Sequence, residues 1–140
     1  MRIFVTGATG FIDSAVVKDL LAAGHTVVGL ARSDTSATAL TDVGADVVLG
    51  SLDDLDTLAK AAAASEGVIH TAHHHDFANV GRDVAAAQDL AALKAMGQAL
   101  LGSGKPLIIT SGPAAPTEDD DGDPGYARYP SEQAAIAMAR

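Results

Sequence analysis

The chain has no cysteine and few basic residues, and each deficit excludes some classes of function. Without thiols there is no disulfide, no thiolate metal ligand and no cysteine nucleophile. Nine Lys and Arg residues against eighteen Asp and Glu residues give a formal net charge of -9, which repels nucleic-acid phosphates and anionic membranes. We find neither a leader-like segment nor an apolar run of membrane-spanning length, and therefore expect a cytoplasmic protein with a small-molecule substrate.

The length and the hydrophobic content suit one folded unit. With 140 residues, 48% of them hydrophobic, the chain can bury one core and is neither disordered nor a repeat array. We expect one domain over residues 1–140.

Short β-branched apolar runs alternate with longer segments of helical periodicity. The runs are typical of strands buried on both faces and cover residues 3–5, 26–30, 46–49, 68–71 and 107–110. The helical segments between them cover residues 11–23, 35–43, 55–64 and 79–101. Gly24, Gly44 and Gly102 follow three of these segments, where helix C-terminal caps belong. The pattern predicts a doubly wound parallel α/β sheet with strand order 3-2-1-4-5.

The longest helical segment carries apolar residues on about one face, which predicts the side that covers the sheet. These residues are Val80, Val84, Ala87, Leu90, Leu93, Gly97 and Leu100.

The last part of the chain breaks the alternation. Residues 112–130 contain four prolines, three glycines and an acidic run, which predicts an exposed loop. A final helix is expected to start near Ser131, with this serine as its N-cap. The helix is still in progress at Arg140, so the fold is expected to be truncated at residue 140.

A glycine-rich turn, TGATGFID, joins the first strand to the first helix. Backbone N–H groups and the positive end of the helix dipole meet there, as a pyrophosphate site requires. Gly7 suits the tight turn and Gly10 the close approach of a phosphate. Asp13 stands where such turns carry a third glycine. Two interpretations stay open: a first-turn acid favoured by the dipole, or a carboxylate that competes with and repels the pyrophosphate.

The motifs TGATGFI, GHTVVGLARS, VIHTA, PLIITSG and RYPSE together resemble the short-chain dehydrogenase/reductase superfamily. The resemblance is strongest to its extended and atypical branch, often labelled NAD-dependent epimerase/dehydratase, and covers all 140 residues. It implies a Rossmann-like nucleotide-binding portion, while full relatives continue into a C-terminal substrate-binding part that this sequence lacks. Some relatives dimerise through helices matching residues 79–101 and the helix near Ser131, so the resemblance allows a homodimer.

The resemblance also implies the cofactor residues. Arg32 follows Ala31, the position where NAD-using relatives carry an acid, and its guanidinium suits a 2′-phosphate, so NADP is favoured over NAD. His73, His74 and His75 are interpreted as loop residues beside cofactor or substrate, not as metal ligands. The expected cofactor-binding residues are Gly7, Thr9, Gly10, Phe11, Ile12, Arg32, Ser33, Ser51, Leu52, Thr71, Ala72 and His73.

For catalysis the resemblance implies Ser111, at the end of the fifth strand, as the group that hydrogen-bonds a substrate oxygen. The family's YxxxK pair is absent, because Arg128 and Glu132 stand at its two positions. Neither Tyr126 nor Tyr129 has a lysine four residues later. We expect an NADP(H)-dependent oxidoreductase that acts on a carbonyl or sugar-like substrate. The alternatives are a non-catalytic NADP-binding regulator or sensor, and an inactive fragment of a longer enzyme.

Overall fold

A sheet of five parallel strands forms the centre of the computed structural model, which describes residues 1–73, 81–111 and 123–138. The order across the sheet is β3-β2-β1-β4-β5, which confirms the predicted doubly wound topology. The strands are β1 (Arg2–Thr6), β2 (Thr26–Ala31), β3 (Asp46–Leu49), β4 (Gly67–His70) and β5 (Leu107–Ile109).

Helices connect the strands, and three of the helices are followed by a glycine in the left-handed backbone conformation. In chain order the described helices are α1 (Phe11–Ala22), α2 (Asp34–Asp42), α3 (Leu55–Ala63), α4 (Arg82–Leu100) and α5 (Tyr129–Met138). Gly24, Gly44 and Gly102 have φ of 82°, 89° and 72° just after α1, α2 and α4, which confirms the predicted glycine caps. Within the part of the chain described here, no helix is both long enough and apolar enough to cross a lipid bilayer.

Alternate strand residues face two separate cores, one on each side of the sheet. Ile3 and Val5 pack on the side of α1 and α2, with Val17 and Leu40. Phe4 points the other way and packs with residues of α3 and α4. The strands therefore read as continuous apolar runs, because both faces of the sheet are covered.

The buried face of α4 differs from the predicted face. Val84 is 49% exposed and Ala87 is exposed, although Leu93, Gly97 and Leu100 are buried as expected. The remaining buried positions are Ala85, Ala86, Asp89, Ala92 and Met96. The helix is turned so that the Asp89 carboxylate reaches partners outside α4 and small alanines face its neighbours. Val80 lies outside the described residues.

The last helix starts two residues before the predicted N-cap. Tyr129 opens α5 and Pro130 lies in its first turn, where a missing N–H is tolerated. Ser131 is buried and its hydroxyl donates to Asp89, so it does not cap the helix. Of the predicted loop 112–130, residues 112–122 lie outside the described part, and residues 129–130 belong to α5.

Leu58→Ala tests the core under α3. Leu58 is fully buried among Phe4, Val28 and Met96, and the cavity left by truncation is expected to lower the free energy of unfolding by about 3 kcal/mol. The control is Leu55→Ala, at a 38% exposed position of the same helix, with an expected loss below about 1 kcal/mol. Urea denaturation measures both, and equal losses would contradict this packing.

Candidate cofactor site

The turn after β1 lies against the loop after β4, and only glycine fits at its start. Thr6 and His70 are register partners in adjacent parallel strands, so both strands end at the same edge of the sheet. Gly7 has φ of 74°, and a Cβ built on it would lie 2.9 Å from the backbone nitrogen of Ala72. The Thr71 hydroxyl donates to the Thr6 carbonyl at 2.7 Å and ties the two loops together. This close approach forms the floor of a cleft.

The N-terminus of α1 leaves backbone donors at this turn. Gly10 is the N-cap, and its own N–H donates to the Gly7 carbonyl at 2.7 Å. The first intrahelical bond runs from Ser14 N–H to the Gly10 carbonyl. The N–H groups of residues 11–13 therefore have no partner within the helix and present the positive end of its dipole. A diphosphate is the ligand that such a turn suits.

A cleft of about 260 Å³ opens above the turn and extends along the sheet edge. Eight of the expected cofactor residues line it: Gly7, Thr9, Gly10, Arg32, Leu52, Thr71, Ala72 and His73. Asp13, Leu30 and Ser36 complete the lining. Leu30 and Ser36 were missed by the sequence reasoning. The only indication in the sequence was their position, since Leu30 is the last residue but one of β2 and Ser36 lies in the first turn of α2.

Four other expected cofactor residues lie next to the cleft without lining it. Phe11 and Ile12 are 97% and 67% exposed at the start of α1. The Ser33 hydroxyl caps α2 by accepting the Ser36 N–H. The Ser51 hydroxyl donates to Asp54 and accepts the Asp53 N–H, so it is engaged within its own turn. His74 and His75 lie outside the described residues.

The end of the cleft near β2 has the chemistry of an adenosine phosphate site. Arg32 is exposed directly after β2 and is the one permanent cation among the described lining residues. The Ser33 and Ser36 hydroxyls lie 2.9 Å apart beside it. Leu52 is buried and supplies an apolar wall. A guanidinium with nearby hydroxyls fits a phosphate, and the apolar wall fits a purine ring.

Asp13 lies on the cleft side of α1 and is only 8% exposed. Its Oδ2 lies 3.0 Å from the position that a Cβ on Gly7 would take and faces Gly10 as well. Its Oδ1 is buried without a hydrogen-bond partner. The carboxylate is therefore a buried first-turn acid that borders the diphosphate turn. It lies at the positive end of the α1 dipole and would also repel a bound diphosphate, so both interpretations of Asp13 stay open.

Asp89 forms the centre of a buried polar cluster behind the cleft. Its carboxylate accepts from the Ser131 hydroxyl at 2.7 Å and from Arg128 at 3.1 Å. His70 Nε2 and His73 Nδ1 lie 3.3 and 3.7 Å from its Oδ1. Burial alone would raise the pKa of Asp89, but His70, Ser131 and Arg128 together lower it to about 2. The ionised carboxylate thus joins α4 to α5 and to the end of β4.

The two ring nitrogens of His70 face different neighbours. Nε2 lies 3.3 Å from the Asp89 carboxylate. Nδ1 lies within hydrogen-bond distance of the Thr6 hydroxyl, at 2.7 Å. His70 and Asp89, which sequence reasoning did not single out as site residues, therefore connect the end of β1 with α4.

Ser111 is the last residue of the described range 81–111 and follows β5. Its hydroxyl donates to Glu132. Arg128 donates to Asp89. Arg128 and Glu132, the residues that the sequence analysis aligned with the family's tyrosine and lysine, are thus both engaged in contacts within the protein. Ser111 does not line the cleft at Gly7 and Gly10.

Comparison with known sequences assigns the family. The sequence model of the NAD dependent epimerase/dehydratase family matches residues 3–105, about three quarters of the chain. The chain belongs to this family. The resemblance inferred from the motifs is thereby confirmed, and the matched region contains the whole cleft described above.

Two yeast proteins and one solved structure are similar to this chain. The uncharacterized protein C2A9.02 of Schizosaccharomyces pombe is 50% identical over 79% of the chain, and YLL056C of Saccharomyces cerevisiae is 41% identical over 98%. The chain spans 37% and 49% of their lengths. Yeast methylglyoxal/isovaleraldehyde reductase Gre2, solved with NADPH, has a TM-score of 0.68 at 24% identity, covering 99% of this chain and 52% of Gre2. This last likeness shows the fold.

Asp89→Asn tests the buried cluster through its pH dependence. In the folded protein the pKa of Asp89 is about 2, below the ordinary pKa of 3.8 for an aspartate. The ionised carboxylate therefore stabilises the fold above pH 4, and this stabilisation is lost as the pH falls towards 2. From about pH 5 to about pH 2 the wild type is expected to lose about 2 kcal/mol more stability than Asp89→Asn.

Urea denaturation at stepped pH measures this difference. Asp46→Asn is the control, because its ion pair with Arg2 is largely exposed and weakened by solvent. Parallel stability curves for the wild type and Asp89→Asn would contradict the lowered pKa.

Proposed function

We propose that this chain is the cofactor-binding part of an NADP(H)-dependent oxidoreductase that acts on a carbonyl or sugar-like substrate. The observation that supports it best is the cleft itself, in which the glycine turn and the first N–H groups of α1 follow the central strand β1 and Arg32 follows the neighbouring strand β2. The family is described as NAD dependent. Membership therefore supports a nicotinamide dinucleotide as the ligand of this cleft.

The preference for NADP rests on the residue after β2. An acid at the end of β2 would bind ribose hydroxyls and repel a 2′-phosphate, but the strand here ends at Ala31 and Arg32 follows. Arg32 lines the cleft beside Ser36. A guanidinium forms charge-assisted hydrogen bonds with a phosphate, and these are about twice as strong as neutral ones.

The residues of the chain would bind and orient the cofactor along the sheet edge. The bound nicotinamide supplies or accepts a hydride. The first turn of α1 would hold the diphosphate, and Leu52 would cover the adenine. Thr71, Ala72 and His73 would line the ribose next to the reacting ring. Ser111 is proposed to donate its proton as a hydrogen bond to the substrate oxygen, for which it must turn away from Glu132, since a hydroxyl has only one proton to donate.

One observation favours a second function, a regulatory protein that binds NADP without turnover. Arg128 is engaged with Asp89, and Glu132 accepts from Ser111. Neither position offers the phenol or the ammonium group that the family uses. NADPH binding without carbonyl reduction in the longer protein would favour this second function.

Arg32→Ala tests the cofactor preference. Binding is measured by calorimetric titration in a buffer that contains Mg²⁺. The wild type is expected to bind NADPH more tightly than NADH. The substitution is expected to weaken NADPH binding about tenfold and to leave NADH binding unchanged. Lys18→Ala, an exposed cation of α1 outside the cleft, is the control and is expected to change neither affinity. Tighter NADH binding by the wild type would contradict the proposal.

Ser111→Ala tests the catalytic assignment in the longer protein of which this cleft is a part. The loss of one hydrogen-bond donor to the developing oxyanion is expected to slow carbonyl reduction by about a hundredfold or more. NADPH affinity is expected to stay nearly unchanged. Ser103→Ala, in the turn that precedes β5 at the opposite sheet edge, is the control. Equal reduction rates for Ser111→Ala and the wild type would exclude this role.

A further inference from the structure

One oxygen of the Asp13 carboxylate lacks the partner that a buried charge requires. The residue is 92% removed from solvent, and Oδ1 has no hydrogen-bond partner. It takes part in none of the ion pairs formed among the described residues. An ionised carboxylate can only accept, so burial without donors or cations is unfavourable. An acceptor left in this state beside a cleft points to a ligand that brings a cation or a donor.

The protein backbone at the turn does not meet this need. An acid at the third helical position often reaches back to the N-cap N–H, but Gly10 donates that N–H to the Gly7 carbonyl. Asp13 Oδ2 instead faces the α-carbons of Gly7 and Gly10. The remaining N–H groups of the first turn are those that suit a diphosphate. A bare diphosphate there would place two like charges side by side.

We propose that Asp13 and the diphosphate of the bound dinucleotide share a divalent cation, with Mg²⁺ as the hard cation that suits these ligands. The inference rests on the proposed function, because the dinucleotide supplies the other half of the site. Mg²⁺ in nucleotide sites is commonly held by one or two carboxylates, substrate phosphates and several waters, and a single aspartate at the turn matches that ligand set. The cation satisfies the orphaned carboxylate and cancels its repulsion of the diphosphate.

The cation is expected to bind with the nucleotide and not before it. Among the residues that the structure describes, no three acidic or histidine side chains come together as a metal site. Asp13 alone offers too few ligands to retain Mg²⁺ in water. Titration of MgCl₂ into the wild type without nucleotide is therefore expected to give no saturable heat.

NADPH titrations with and without the metal test the proposal. The wild type, Asp13→Asn and Asp13→Gly are each titrated calorimetrically in MgCl₂ and in EDTA at matched ionic strength, after circular dichroism has verified folding. Wild-type affinity is expected to be at least about tenfold tighter in MgCl₂. Both variants are expected to bind equally well in the two buffers, because no carboxylate remains to be neutralised. Asp19→Asn, an exposed acid of the same helix, is expected to keep the metal dependence.

Each contrary result has a distinct meaning. Equal wild-type affinity in MgCl₂ and EDTA overturns the shared cation and leaves the NADP site intact. Binding by the two variants but not by the wild type in either buffer also overturns it, because the carboxylate then excludes the cofactor outright. Absence of binding by Asp13→Gly in both buffers overturns the proposed function and the cation with it.

Discussion

The approach of the β1 turn to the loop after β4 is the constraint on which the cleft depends. Any side chain at Gly7 would meet the backbone of Ala72, and the positive φ there is unfavourable for other residues. Thr71 fixes the same approach from the opposite side by donating to the Thr6 carbonyl. Because β1 is the central strand and pairs with both β2 and β4, its end sets where α1 begins and where its free N–H groups point. The positions of the lining residues in the turn after β1 and in the loop after β4 follow from this contact.

Asp89 performs a comparable role behind the cleft. Burial of a carboxylate is costly, and this one stays ionised only because Ser131, Arg128 and His70 surround it. The same contacts fix the orientation of α5 against α4. They also engage Arg128, which donates to the Asp89 carboxylate from just before α5. The ionisation of Asp89 and the packing of α5 therefore have one physical origin.

Much of the fold could be predicted from the sequence because hydrophobic periodicity is local. The β-branched runs located the strands, and their alternation with helical segments indicated the doubly wound order. Glycines such as Gly24 and Gly44 marked the helix ends, where the structure gives them positive φ. The face of α4 and the start of α5 could not be predicted in this way. Both depend on Asp89, whose partners Arg128 and Ser131 lie 39 and 42 residues further along the chain. Periodicity treats an aspartate as a surface residue, and only the fold brings its partners together.

The cleft itself combines opposite electrostatic requirements, one beside β2 and the other at the turn after β1. Among its described lining residues Arg32 is the permanent cation and Asp13 the carboxylate. A phosphate is therefore attracted at the end near β2 and repelled at the turn, although the α1 dipole favours an anion there. One dinucleotide would have to meet both residues at once. A lower negative charge at the turn would therefore strengthen the binding of the entire ligand and add to the attraction by Arg32.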